Sequence, residues 1–121
     1  MTKHLDAFSA FISQTRFEDI PADAVSRAKL IIADCVGAIV GGSAEPELLA
    51  FTSSIKSSGT ARILGSSNLT DQQTASLING TAGTVLEMDE GHQFARGHPG
   101  MHVFPALLAA TEGTTEAVSG Q

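Results

Sequence analysis

The chain has 121 residues, room for one small domain and not two. Hydrophobic residues make up 42 % and aromatics 5 %, with no Trp and no Tyr, so the chain should fold around Ala, Val, Ile, Leu and a few Phe. Seven basic against thirteen acidic side chains give a formal charge of −6, which argues against a general nucleic-acid binder, and one Cys rules out an internal disulfide framework.

The dominant period is helical. Leu5, Phe8, Phe11 and Ile12 recur at three- and four-residue spacing and predict a first helix, with Thr2 as a possible cap. Residues 16–20 read as a connector. Pro21 suits a first helical position and Asp23 a first turn. Val25, Ala28, Ile32, Cys35, Val36 and Ile39 then predict a wide apolar face, stopped by Gly41-Gly42. Leu30 to Val40 is the longest apolar stretch, but Asp34 interrupts it and it is too short to span a bilayer. The N-terminus has no apolar signal-peptide core, so a cytoplasmic protein is expected.

Pro46 starts a third helix with Leu48, Leu49, Thr52 and Ile55 inward, ended by Ser57-Ser58-Gly59. Residues 60–65 predict a short extended piece and 66–69 a loop. Thr70 and Gln73 form a capping-box pattern for a helix entering at Asp71, lined by Ala75, Ile78, Ala82 and Val85. Gly80 and Gly83 lie on an adjacent strip. Each interior Gly costs about 1 kcal/mol relative to Ala, so the strip predicts the close approach of another backbone. Residues 87–100 read as a polar loop, and Pro105 opens a last helix through Leu107, Leu108 and Ala109. Residues 111–121 are polar and hold no stop. The expectation is an all-α fold of five or so helices without internal repeats. Their apolar faces call for neighbours from another subunit or from further sequence.

Three of the four histidines fall within the eleven positions 92–102, beside Glu87, Asp89, Glu90 and Arg96. His98 stands between Gly97 and Pro99-Gly100, a setting that holds an imidazole at a turn with room for a ligand. It reads equally as a general acid/base or carboxylate donor and as a turn histidine bonded to backbone. Arg96 offers a planar fork for a carboxylate, and the helix start near Pro105 would add N–H donors for an anion. The competing reading pairs Arg96 with Glu87, Asp89 or Glu90, and it is the commoner arrangement. Those three acids sit just past a helix end, unfavourably for the dipole, so Arg96 or His92 is expected to compensate them. Crowded carboxylates can also make an acid or base. A metal site from His92, His98, His102 and an acid is the rival, but Pro99-Gly100 breaks the helix that would align them and no zinc signature is present. Cys35 reads as an inert core thiol and Asp34 as a group bonding a neighbouring helix. His4 reads as a surface residue.

The chain resembles the MmgE/PrpD family, which includes 2-methylcitrate dehydratase, cis-aconitate decarboxylase and iminodisuccinate epimerase. The likeness runs through Ile20-Pro21, Ala33-Asp34-Cys35-Val36-Gly37, Val40-Gly41-Gly42 and Ile78-Asn79-Gly80-Thr81-Ala82-Gly83. It continues through Leu86-Glu87-Met88-Asp89-Glu90, Gly97-His98-Pro99-Gly100 and Val103-Phe104-Pro105-Ala106-Leu107-Leu108-Ala109. The resemblance implies an all-α main domain with a smaller lid domain, homodimers, and cofactor-free lyase or isomerase chemistry on di- or tricarboxylates. Protons would leave next to a carboxylate, followed by dehydration, decarboxylation or epimerisation.

By this match His98 and Asp89 are the expected catalytic residues. Glu87, Glu90, His92 and Arg96 are the expected substrate-binding residues, with no metal. Family members of the dehydratase and decarboxylase kinds tend to read Asp-x-Asp-Asp-Thr where this chain reads Glu87-Met88-Asp89-Glu90-Gly91, so the reaction type stays open. Residues 1–121 are expected to be the N-terminal portion of the helical main domain. The lid and the downstream lysine and tyrosine would be absent and the chain alone inactive, with family members running on past Gln121. The alternative is a truncated helical module that docks on a full-length relative or partner, without nucleic acid or membrane.

Overall fold

Proline, glycine and one polar cap set most of the element boundaries. The computed structural model describes residues 2–94 and 96–112, with the side chain of Thr2 outside the described set. It contains α1 (Thr2–Gln14), a 3₁₀ turn at Phe17–Asp19, α2 (Ala22–Gly42) and α3 (Pro46–Ser54), then β1 (Ala61–Arg62), β2 (Leu69–Thr70), α4 (Gln72–Thr84) and α5 (Pro99–Thr111). The described chain is thus mainly helical, as expected. Its one sheet is an antiparallel pair, Ala61 opposite Thr70 and Arg62 opposite Leu69. The predicted cap at Thr2 and the reading of residues 113–121 lie outside the described residues.

Helix α4 is the centre. It packs against α5 and α2, and more lightly against α3 and the two strands. The main core joins Cys35, Ile39, Leu48, Ala82 and Met101, with Ile31, Ala38, Leu64 and Phe104 against it. The buried side of α2 therefore runs through Ile31, Cys35, Ile39 and Gly42 at steps of four, four and three residues. Ile32, expected inward, is 44 % exposed. On α3 only Leu48 of the predicted inward set is fully buried, and Leu49 is exposed. Asn79, at 1 % exposure, ties α4 to β1: its Oδ1 accepts from the Leu64 N–H and its Nδ2 donates to the Arg62 carbonyl, both at 2.9 Å.

The two glycines of the α4 strip behave differently. A Cβ on Gly83 would fall 2.2 Å from Met101 Sδ, so what comes close there is a side chain of α5 and not the backbone the strip predicted. A Cβ on Gly80 would meet nothing within 4 Å, so Gly80 instead opens a groove between α4 and α5. The tightest backbone contact belongs to Gly42, inside the last turn of α2 rather than beyond it. A Cβ there would lie 1.9 Å from the Ala82 carbonyl oxygen.

The cap of α4 is one residue later than the capping-box pattern suggested. Thr70 is buried in β2, its hydroxyl against that of Ser57. Asp71 is the N-cap: its Oδ1 accepts the Thr74 N–H at 2.9 Å and its Oδ2 accepts the Ser57 and Thr74 hydroxyls at 2.5 and 2.6 Å. Donation from Ser57, then from Thr74, favours the charged form and holds this carboxyl well below the ordinary carboxylate range. The lowered folded value means that stability from the cap is present above the unfolded carboxyl's pKa of about 3.9. It is lost as pH falls through the folded value. Asp71→Ala is thus expected to lower the melting temperature at neutral pH, with the gap to the parent chain closing in strong acid. An unchanged melt at neutral pH would remove the cap from this account.

Helix α5 starts six residues earlier than expected. Pro99 is the residue at its first position, where a missing N–H costs nothing, and Pro105 lies buried inside the helix. His98-Pro99-Gly100 looks like a turn in sequence, yet it is a helix entry: N-cap, first and second helical positions.

Much apolar surface stays open. On α1, Leu5, Phe8, Phe11 and Ile12 are 66, 62, 64 and 56 % exposed, and Leu30 on α2 is 64 % exposed. Among the described residues no helix is long and apolar enough to cross a membrane.

Candidate active site at the entry of helix α5

The acidic loop leaves α4 at Thr84 and reaches α5 through two left-handed residues, Glu87 at φ 53° and Arg96 at φ 50°. Neither is a glycine, so each holds an uncommon backbone conformation within this one loop. Between them His92 and Gly97 form an isolated antiparallel bridge, with the His92 N–H on the Gly97 carbonyl and the Arg96 N–H on the His92 carbonyl, both 2.8 Å. The loop therefore folds back on itself, and this returns the chain to the helix start with His98 beside the acids.

Two adjacent acids point into the protein. Asp89 Oδ2 lies 3.0 Å from His98 Nδ1, with side-chain exposures of 3 % for Asp89 and 45 % for His98. No aligned hydrogen-bond donor serves that oxygen among the described residues. Glu90 Oε1 accepts the Gly100 N–H at 2.9 Å, while Glu90 Oε2 is buried without a hydrogen-bond partner among the described residues. Glu90 thus occupies a free N–H at the positive end of α5, which suits a carboxylate. The helix start predicted near Pro105 as an anion site therefore lies at Pro99, where Glu90 already takes one of its donors. A Cβ on Gly100 would meet Ile31 Cγ2 at 2.8 Å, Glu90 Cγ at 3.0 Å and Cys35 Sγ at 3.1 Å, so only glycine admits this packing. Burial, followed by the negative charges of Glu90, Asp34 and Asp89, pushes the Cys35 thiol up, consistent with an inert core group.

The other expected residues separate. His102 Nδ1 contacts the His98 carbonyl at 2.8 Å, and the side chain borders the groove with Gly80, Thr84 and Pro105. His92 packs edge-on against Phe94, ring centroids 6.1 Å apart, with Phe94 itself 87 % exposed. Among the described residues no three His, Cys, Asp or Glu side chains gather as metal ligands. Arg96 is exposed, and among the described residues no ion pair joins it to Glu87, Asp89 or Glu90. Asp89 and Glu90 meet His98 and the start of α5 respectively. Asp34 is exposed rather than turned to a neighbouring helix. The sequence reading missed the capping role of Glu90. Its signal was present: a proline at a first helical position with an acid ten residues before Gly100.

Helix α5 thus begins at a half-exposed histidine backed by a buried carboxylate, with the exposed Arg96 two residues before it in the chain. The MmgE/PrpD N-terminal domain matches residues 6–118, so the chain belongs to the MmgE/PrpD family. It is 28 % identical over 105 residues to a cis-aconitate decarboxylase-like protein, oryM, of Aspergillus oryzae, covering 84 % of this chain and 22 % of that one. It is 30 % identical over 98 residues to the cis-aconitate decarboxylase of Aspergillus terreus, covering 78 % of this chain and 20 % of that one. The chain spans about a fifth of the length of these curated relatives. No solved structure matches it.

Proposed function

We propose that this chain is the N-terminal portion of a cofactor-free lyase or isomerase that removes a proton next to a carboxylate of a di- or tricarboxylate. The observation that carries the reading is His98, half-exposed at the entry of α5 and held from behind by the buried Asp89. An imidazole so placed can take or give a proton near neutral pH. Arg96, exposed on the same loop, supplies a fork for a substrate carboxylate. Glu87, Glu90 and His92, from the same loop, are assigned to substrate binding in this reading. The named activity of the Aspergillus terreus relative makes cis-aconitate decarboxylation the first reaction to assay. Gly91 offers no hydroxyl beside the acids, so dehydration and epimerisation belong in the same screen. We also propose a cytoplasmic homodimer whose remaining catalytic groups lie in further sequence.

The exposed stripe on α1 favours a second reading, a truncated and inactive module that docks on a relative or partner. Intact mass of the endogenous protein separates the two. A mass far above 12.5 kDa supports the enzyme, and a mass of 12.5 kDa supports the docking module. The complete protein is then expected to turn over cis-aconitate or another di- or tricarboxylate, with 121 residues alone inactive. Turnover by the purified 121 residues, or none by a longer native protein, would overturn the reading.

A further inference from the structure

We propose that Asp89 is a positioning residue: it holds the neutral His98 ring with the proton on Nδ1 and leaves Nε2 as the nitrogen that exchanges protons with substrate. This rests on the reading of His98 as the proton-handling group. The geometry supplies the argument. Asp89 is a 3 % exposed side chain whose Oδ2 has no other donor among the described residues, and His98 Nδ1 stands 3.0 Å from it. A buried carboxylate oxygen left without a donor is costly. A proton on Nδ1 relieves that cost. The opposite tautomer would set the Nδ1 lone pair against the carboxylate oxygen at that distance, which is repulsive. The contact is close and buried without being ideally aligned as a hydrogen bond.

The rest of the ring follows. With Nδ1 turned to a buried group, Nε2 is the ring nitrogen left for substrate, on a side chain that is 45 % exposed. Glu90 does a different job from its neighbour. By bonding the Gly100 N–H it fixes the start of α5, and with it the residue that carries the imidazole. The repulsion of two adjacent acids is thus met by two different partners, a ring and a helix end. When Nε2 takes a proton, the positive charge that develops on the ring lies next to Asp89, so Asp89 orients the ring and stabilises the product of proton transfer without touching the substrate.

Nitrogen-15 labelling of the histidines in the protein as the cell makes it, with the ring neutral and His98→Gln used to assign the signal, reads the tautomer directly. The expected result is a protonated Nδ1 and a bare Nε2 in the parent protein. In Asp89→Asn, whose amide can donate to Nδ1, the proton is expected to move to Nε2 in at least half of the molecules. A parent ring protonated on Nε2, or an unchanged tautomer in Asp89→Asn, overturns the proposal. The parent measurement needs no variant to fold. Failure to turn over any carboxylate would overturn the functional reading instead, and the tautomer would still be read.

Discussion

Gly42→Ala is expected to lower the stability of the fold by roughly 2 kcal/mol, even though alanine is the better helix former by about 1 kcal/mol. The added Cβ would lie 1.9 Å from the Ala82 carbonyl oxygen and 2.9 Å from its carbonyl carbon, with Val85 Cγ1 at 2.7 Å. Two of these atoms are backbone of α4 and cannot swing aside. The helices would have to separate where Ile39, Ala82 and Met101 form the core, and packed interiors give way poorly to added volume. For a domain of this size a loss of that order corresponds to a fall in melting temperature of about 10 °C. Gly80→Ala is the control, a glycine of α4 that faces the open groove beside α5. Nothing lies within 4 Å of its Cβ position, so the helix-propensity gain is unopposed and a rise of up to about 1 kcal/mol is expected. Thermal melts of both variants beside the parent chain decide the matter. Equal melting temperatures for the two would mean that α2 and α4 do not pack as described.

Asp89→Asn, in the complete protein acting on its carboxylate substrate, is expected to cut kcat by about 10²- to 10⁴-fold with little change in KM. Asparagine keeps the volume and the polar contact, so the buried site behind His98 stays filled. What changes is which ring nitrogen carries the proton and what charge lies behind the ring during transfer. Arg96→Gln should show the opposite split, a KM raised roughly tenfold with kcat nearly kept, because under the proposed function it removes a contact to a carboxylate present before and during the reaction. Steady-state kinetics on the two variants test this division of labour. An Asp89→Asn enzyme with unchanged kcat would place the proton transfer elsewhere.

The helical period of α2, the proline at 46 and the polar run after α4 are local properties, and local rules read them correctly, whereas Pro21, expected at a first helical position, is the N-cap of α2. The family likeness was legible for the same reason, because short motifs in a fixed order survive without any knowledge of contacts. The side of α2 that is buried was not legible. Ile31 and Ile32 are equally apolar neighbours, and only the position of α4 and α5 selects the one that faces the core. The same holds for the two glycines of α4. Both cost helix stability alike, yet only Gly83 meets another helix.

At the site, composition alone placed His98, Asp89, Glu90, Glu87, His92 and Arg96 within one short stretch. It could not say which acid meets the histidine. A local rule also misplaced the start of α5, because a proline between two glycine-flanked positions suits a turn as well as a helix entry. Residue types and spacing by themselves determined a mainly helical chain of the MmgE/PrpD family with a polar, histidine-bearing loop before its last helix. Tertiary structure alone decided the rest. The bridge between His92 and Gly97 and the packing of Gly100 on Ile31 and Cys35 set Asp89 behind His98 and Glu90 on the helix end. Pairing partners are chosen by distance and burial, which a linear order of residues does not contain.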